Sequence, residues 1–253
     1  MVDDLPLLMV DDVALRLCRS LPASPLDYQL AQPGDPVLAA ARFSACVRSR
    51  FATNALRASG LSQCVLLGAG LDHPVGEVDD VAWWAVDLPD VLAWRTDLYQ
   101  QAGLADRCIH VPANLTTAHL VDALTMAGLD ASQPVMVAWL GGTMYVPEAA
   151  VHRVCDQLGI LATGSVLVAD IVEPPAHRDQ AGQAYADAIT QAVGGREPWR
   201  CQVSPDNLAV WLQQAGWQIS RSIPEAEAVP AGFWHRHDSL TPMRLIQLIE
   251  AHT

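Results

Sequence analysis

Short apolar runs alternate with segments of helical periodicity along most of the chain. Continuous apolar runs bounded by Gly, Pro or polar residues are typical of buried strands, and apolar residues spaced three and four positions apart are typical of amphipathic helices. The pattern predicts strands at 64–70, 81–88, 108–115, 135–142, 164–172 and 217–223. It predicts helices at 36–59, 89–103, 116–128, 147–159, 178–193 and 204–216, several of which end at a glycine.

Strands and helices that alternate with short connections favour an α/β fold. We therefore expect a doubly wound, mostly parallel sheet with helices on both of its faces. Residues 1–253 contain no internal repeat, no low-complexity segment and no linker that would divide the chain. The sequence accordingly predicts a single domain.

A glycine loop and an acidic residue follow the first two predicted strands. Gly68-Ala69-Gly70 ends the first strand, and Asp87 ends the second, seventeen residues after Gly70. In an open parallel sheet, ligands bind beyond the carboxyl ends of the strands, where glycines let a ligand approach the backbone. An acid there can accept hydrogen bonds from both hydroxyls of a ribose. The pattern favours a nucleoside site, with a tight turn beside an unrelated surface acid as the alternative.

The ligand of this site is not expected to carry a pyrophosphate. A dinucleotide site requires a third glycine in register and a helix N-terminus for the phosphates, and the loop continues instead as Leu71-Asp72-His73.

Composition and charge exclude several classes of function. The net charge is −13, all 15 basic residues are Arg, and the absence of Lys excludes Schiff-base chemistry and a P-loop. An acidic chain without basic clusters is a poor candidate for binding nucleic acid or an anionic membrane. The six cysteines are scattered without metal-ligand spacing, which favours buried thiols over a metal site or a disulfide framework. The acidic N-terminus and the lack of a long apolar run predict a soluble, cytoplasmic protein.

Several segments resemble the leucine carboxyl methyltransferase-like family of class I S-adenosylmethionine (SAM) methyltransferases. LLGAGLD followed by AVDLPDVL is the most specific match. VRSRF before the first strand, AWLGGTMYVP at the fourth, GSVLVAD at the fifth and EPWRCQVSPDNLAVWLQQAGW near the end match in the same order. The similarity covers roughly residues 37–245 and includes the bacterial O-methyltransferase branch of the family.

The resemblance implies a set of cofactor-binding residues. The loop Gly68-Ala69-Gly70 would lie against SAM, Asp87 and the adjoining Leu88 would hold the ribose, and Arg48 or Arg50 would pair with the SAM carboxylate. Asn114, with Leu115 beside it, occupies the position where the family usually carries an Asp facing the adenine. Leu140 and Gly141, at the start of a stretch reaching Thr143, would run beside the sulfonium and its methyl group. An arginine on the solvated face of a helix and a turn-forming asparagine are the alternatives.

The same resemblance predicts where the methyl acceptor binds. A small helical cap is expected from residues 1–45, 174–200 and 224–240. Candidates for a general base are His73, Tyr145, His235 and His237, with His110 as a further histidine to consider. A structural or surface role is the alternative for each of them. His235 to Asp238 form a His-Arg-His-Asp run, but two histidines in a loop do not define a metal site, and no metal is predicted.

The function expected from the resemblance is SAM-dependent O-methyl transfer to a small metabolite of natural-product biosynthesis. Methyl transfer requires mainly that the acceptor be aligned with an activated methyl group. One rival is the same fold used for cyclisation or elimination without methyl transfer. Another is a non-catalytic binding subunit that uses the fold as a partner surface. The predicted partner is a small molecule, with a homo- or hetero-oligomer left open.

Overall fold

The computed structural model describes residues 7–73 and 80–253 of the chain. Its central feature is a seven-stranded sheet with the strand order β3-β2-β1-β4-β5-β7-β6. All neighbouring pairs from β3 to β5 are parallel, and β7 runs antiparallel between β5 and β6. The order reverses between β1 and β4, so the ligand-binding crevice of such a sheet is expected at the carboxyl ends of these strands. The predicted doubly wound, mostly parallel α/β class is confirmed.

The strands are β1 Gln63–Leu67, β2 Ala82–Asp87, β3 Cys108–Pro112, β4 Met136–Trp139, β5 Val166–Val172, β6 Gln218–Pro224 and β7 Ile246–His252. The helices are α1 Asp12–Ser20, α2 Pro25–Ala31, α3 Pro36–Ser59, α4 Pro89–Gln101, α5 Leu120–Met126, α6 Glu148–Leu158, α7 Gln180–Ala192 and α8 Pro205–Gln214.

Two apolar cores cover the two faces of the sheet. Strands β1, β4 and β5 are buried along their whole length, as continuous apolar runs require of central parallel strands. One core packs α3 and α7 against the sheet. The other packs α5, α6 and α8 on the opposite face. Helices therefore lie on both faces of the sheet.

Helix α3 is the longest helix and supplies one wall of the crevice. Asp35 caps its N-terminus by accepting hydrogen bonds from the amides of Val37 and Leu38, and Pro36 begins the helix. Gly60 ends it in the left-handed conformation, at φ +65°. These signals explain why the predicted bounds, 36–59, match the observed ones.

Some elements differ from the sequence prediction. Helix α5 begins at Leu120 and not at 116, because Asn114 Oδ1 accepts hydrogen bonds from the amide and hydroxyl of Thr116 and forms a turn there. Helices α1 and α2 and strand β7 were not predicted from the sequence. Strand β7 is antiparallel and follows a long loop, so the βα alternation used for the other strands does not point to it.

Segments of the predicted cap pack against one another. The ring of Phe43, in the first half of α3, packs at a tilt against Phe233 and Trp234, with ring centroids 5.8 and 5.2 Å away. Helix α7 also packs against α3. Within the two described ranges, no helix is both long and apolar enough to cross a membrane.

Candidate active site

The glycine loop after β1 lies open at the carboxyl edge of the sheet. Gly68 and Gly70 have φ angles of +60° and +46°, which side-chain-bearing residues rarely adopt. Among the residues that the structure describes, no atom lies within 4 Å of a Cβ placed on either glycine. The amide of Ala69 donates to the carbonyl of Val86 at 3.1 Å and ties the loop to β2. The loop thus exposes backbone to a space that a ligand can fill.

Asp87 joins the glycine loop to the end of β2. Its Oδ2 accepts a hydrogen bond from the Gly70 amide at 2.8 Å, and its Oδ1 accepts one from the Leu88 amide at 2.7 Å. Each carboxylate oxygen can accept more than one hydrogen bond, so acceptor capacity remains for a ligand. The structure brings the predicted loop and the predicted acid together at one strand-end crevice.

A buried arginine that was not predicted from the sequence supports this loop. Arg95, in the middle of α4, is fully buried and donates to the carbonyls of Gly70 and Asp72. Its guanidinium also forms a bidentate pair with Asp106, at 2.6 and 3.0 Å. Burial would raise the pKa of Asp106, but hydrogen bonds from Arg95 and His110 hold that pKa at about 2. The pair fixes the loop from its inner side, and nothing in the helical pattern around Arg95 indicates this role.

Arg48 projects from α3 toward the ends of β4 and β5. Its Nη1 lies 3.7 Å from Oδ2 of Asp170, a buried acid in β5. Oδ1 of the same carboxylate accepts a hydrogen bond from the Gly141 amide at 2.6 Å. Gly141 has a φ of +66°, and a Cβ there would lie 2.6 Å from Nη2 of Arg48. The positive φ favours glycine at this position, and an added Cβ would displace the end of the Arg48 side chain, which lies directly over the backbone.

The other residues predicted to bind the cofactor lie on different elements of the fold. Arg50 lies two positions after Arg48 on α3 and therefore on a different face of the helix. Asn114 and Leu115 follow β3, and Asn114 is exposed. Leu140 is buried after β4 and lines a small cavity between α3 and the sheet. In the described part of the chain, Arg48 is the one of the two arginines with a contact at the end of β4.

His73 lies after the glycine loop and is held by a carboxylate. Its Nε2 is 3.0 Å from Oδ1 of Asp11, the N-cap residue of α1. Burial would lower the pKa of His73, but the hydrogen bond and charge of Asp11 raise it. His73 therefore connects the N-terminal segment to the glycine loop.

The remaining candidates for a base lie apart from one another. Tyr145 is 41% exposed in the turn after β4. His235 and His237 are exposed in the loop before β7. His110 lies in β3 and contacts Asp106, at 2.8 Å. The structure does not gather these side chains into one cluster, and their catalytic roles stay predictions.

Two buried acids near Arg48 were also missed. Asp170 and Glu225 are both fully buried. Burial raises the pKa of Asp170, opposed by the charge of Arg48 and the Gly141 amide. Burial raises the pKa of Glu225 to about 8, opposed by Ser44 and Arg48 and reinforced by the charge of Asp170. Asp170 could have been noticed from the sequence, because it is an acid inside the apolar run of β5. Glu225 could not, because a single glutamate after a strand is not distinctive.

Comparison with known proteins decides the family. The family model for leucine carboxyl methyltransferase matches residues 2–159, more than half of the chain. This chain belongs to the leucine carboxyl methyltransferase family. The recognition of that family from the glycine loop and Asp87 is confirmed, and so is the prediction that the protein is a SAM-dependent methyltransferase enzyme.

Bacterial relatives provisionally named SAM-dependent methyltransferases share sequence over much of the chain. One from Mycobacterium ulcerans (strain Agy99) is 29% identical over 244 residues, which cover 85% of this chain and 72% of the relative. One from Frankia alni is 29% identical over 184 residues, covering 69% of this chain and 62% of the relative.

Solved structures share the fold over nearly the whole chain. A DUF574-family protein from Streptomyces avermitilis aligns with a TM-score of 0.66 at 15% identity, covering 95% of this chain and 96% of that protein. A protein from Thermobifida fusca, provisionally described as a methyltransferase, aligns with a TM-score of 0.63 at 18% identity, covering 95% and 94%. At these identities the likeness concerns the fold alone.

Proposed function

We propose that this chain transfers a methyl group from SAM to an oxygen atom of a small metabolite in natural-product biosynthesis. The observation that carries the proposal is the link between Asp87 and the glycine loop. Its carboxylate lies at the end of β2 and accepts a hydrogen bond from the Gly70 amide at 2.8 Å, while none of the described residues fills the space beside Gly68 and Gly70. This arrangement suits a ribose held next to exposed backbone.

The residues of the crevice fit the parts of SAM. Asp87 would accept hydrogen bonds from the ribose hydroxyls, and Gly68 and Gly70 would let the backbone approach the ligand. The side-chain oxygen of Asn114 already accepts two hydrogen bonds from Thr116, so its amide nitrogen is the group that would donate to the adenine ring. Arg48, at the end of β4, would hold the carboxylate of the amino-acid tail.

The chain itself has to orient the two reactants and exclude water. SAM supplies a methyl group already activated on a sulfonium, so alignment contributes most of the rate enhancement. Leu140 and Gly141 would border the methyl group at the end of β4. The cap segments 1–45, 174–200 and 224–240 would cover the acceptor. The candidates to accept the proton of a hydroxyl acceptor are Tyr145, in the turn after β4, and His73, His235 and His237.

The proposal also includes a small-molecule acceptor and a cytoplasmic location. The six cysteines form no disulfide with one another, which suits a reducing compartment. A homo- or hetero-oligomer stays compatible with the proposal.

A turnover assay tests the reaction type. The protein would be incubated with SAM and a panel of phenols, alcohols and carboxylic acids, and both S-adenosylhomocysteine and the products would be quantified by mass spectrometry. The proposal predicts one methylated product formed in step with S-adenosylhomocysteine. Product formed by SAM-free enzyme, without consumption of SAM, would show a cyclisation or elimination and overturn it.

A further inference from the structure

Two buried carboxylates beside Arg48 have oxygen atoms without hydrogen-bond partners. In the described part of the chain, Oδ2 of Asp170 and both oxygens of Glu225 accept no hydrogen bond. The Ser44 hydroxyl of α3 neighbours Glu225 but not in a geometry that satisfies either oxygen. Such oxygens are rare in folded proteins, because burying an acceptor without a donor costs free energy. These oxygens keep acceptor capacity for a donor on a ligand.

The charges around the two acids are also unbalanced. Among the described residues, Arg48 is the one basic side chain that acts on both Asp170 and Glu225. Its Nη1 is 3.7 Å from Asp170 Oδ2, which is too far for a hydrogen bond. If both acids were ionised, one guanidinium would leave one negative charge unbalanced. In the empty site a proton on Glu225 removes that charge, and a bound cation would take the place of the proton.

The acids lie at the carboxyl edge of the sheet, the same edge as the glycine loop. Strands β5 and β6 both pair antiparallel with β7, so they run parallel to each other. Glu225 directly follows β6 and therefore lies at the same edge of the sheet as the glycine loop. The side chain of Arg48 is 29% exposed and connects the buried pair to the surface. Tyr185 of α7 lies close enough for the charge of Glu225 to act on its hydroxyl.

An ammonium group matches these requirements better than a metal ion. It carries one positive charge and three N–H donors, and three carboxylate oxygens lack a donor. The described residues contain no group of three or more His, Cys, Asp and Glu side chains that could hold a metal ion. We propose that Asp170 and Glu225 form an ammonium-binding subsite in the methyltransferase crevice, an inference that rests on the function proposed above.

An ammonium can reach this subsite from two sources. One is the α-ammonium of the cofactor's amino-acid tail, with Arg48 holding the neighbouring carboxylate. The other is an amine on the methyl acceptor, in which case the substrate class is an amine-bearing metabolite. The protonation of Glu225 fits either source: burial raises its pKa to about 8, so it holds a proton at neutral pH until a cation enters. The groups that face it are Ser44 and Arg48 from α3, Asp170 from β5 and Tyr185 from α7.

The first arm of the test uses the cofactor. Calorimetry would compare S-adenosylhomocysteine with 5′-methylthioadenosine, which has the nucleoside and thioether but lacks the amino-acid tail. Glu225→Gln removes the negative charge and keeps the shape, and Glu227→Gln changes an exposed glutamate in the same turn as a control. If the cofactor supplies the ammonium, Glu225→Gln raises the Kd of S-adenosylhomocysteine about tenfold or more and leaves the Kd of 5′-methylthioadenosine unchanged.

The second arm uses a simple amine. 2-Phenylethylammonium and its neutral counterpart 2-phenylethanol would be titrated with and without S-adenosylhomocysteine, following the thermal midpoint. If the acceptor supplies the ammonium, the amine but not the alcohol stabilises the protein, and Glu225→Gln abolishes the effect while Glu227→Gln keeps it. Asp170→Asn, which retains an oxygen for the Gly141 amide, is expected to act like Glu225→Gln.

The outcomes separate this inference from the proposed function. Dependence on Glu225 in either arm supports the subsite and identifies the source of the ammonium. Folded variants, judged by circular dichroism, that bind S-adenosylhomocysteine and the amine as the wild type does would overturn it. If the wild type fails to bind S-adenosylhomocysteine at all, the proposed function fails, and the amine titration without the nucleoside still decides whether the subsite exists.

Discussion

Replacing Asp87 with alanine removes one carboxylate that serves two purposes. In the structure its oxygens accept hydrogen bonds from the amides of Gly70 and Leu88, at 2.8 and 2.7 Å. In the proposed complex the same oxygens also accept hydrogen bonds from the two ribose hydroxyls. Losing two hydrogen bonds to a charged acceptor is expected to weaken the binding of S-adenosylhomocysteine by about 1.5–3 kcal/mol. That corresponds to roughly a 10- to 150-fold increase in Kd.

The variant Asp87→Asn separates the two purposes. Its amide oxygen keeps one acceptor for the loop but loses the charge, so its affinity is expected to lie between those of the wild type and Asp87→Ala. Asp90→Ala, which changes an exposed acid in the first turn of α4, is the control and is expected to bind as the wild type does.

The assay is isothermal titration calorimetry with S-adenosylhomocysteine, combined with thermal unfolding to confirm that each variant is folded. The fold of Asp87→Ala is expected to survive, since the side chain lies at a strand end and is only half-buried. An unchanged Kd for folded Asp87→Ala would refute the placement of the ribose at β2.

Three further predictions concern the walls of the site. Gly141→Ala should cost about 1–3 kcal/mol in unfolding free energy because its φ is +66°, much as Gly194→Ala does at φ +59° with no described atom within 4 Å of the added Cβ. Because the Cβ at position 141 would also displace the guanidinium of Arg48, Gly141→Ala but not Gly194→Ala should weaken S-adenosylhomocysteine binding, and equal Kd values for the two variants in calorimetry would contradict this. Arg95→Met leaves Asp106 without its bidentate partner and should destabilise the protein by roughly 3–5 kcal/mol, and a variant as stable as the wild type in urea unfolding would count against this support of the loop. The folded-state pKa of Glu225 is about 8, above its usual 4.5, so its contribution to stability is fully present below about pH 4.5 and is lost as the pH rises toward 8. The free energy of unfolding of Glu225→Gln should therefore exceed that of the wild type by roughly 2–5 kcal/mol at pH 9 and by less at pH 5. A difference in thermal unfolding that does not change with pH would contradict this.

The sequence predicts the elements whose local signals agree with their tertiary role. The central strands are continuous apolar runs because both of their faces are covered, and α3 carries a proline at its start and a glycine at its end. Strand β7 is different: its place between β5 and β6 is fixed by pairings with segments far away along the chain. A local pattern holds no information about such pairings.

The same distinction applies to the site. Gly70 and Asp87 follow neighbouring strands, so their contact could be anticipated from strand ends alone. Arg95 and Glu225 act through burial and through partners on other elements, and a single charged residue in a helix or after a strand is usually exposed to solvent. Their roles became visible only when the folded chain placed them beside the crevice.

Calorimetric titration of the wild-type protein with S-adenosylhomocysteine tests the central claim most directly. The open glycine loop joined to Asp87 predicts saturable binding with a Kd in the micromolar range, equivalent to about 7–8 kcal/mol. The same ligand should raise the thermal midpoint of unfolding. No heat of binding and no thermal shift at millimolar ligand would contradict the assignment of this crevice as a SAM site.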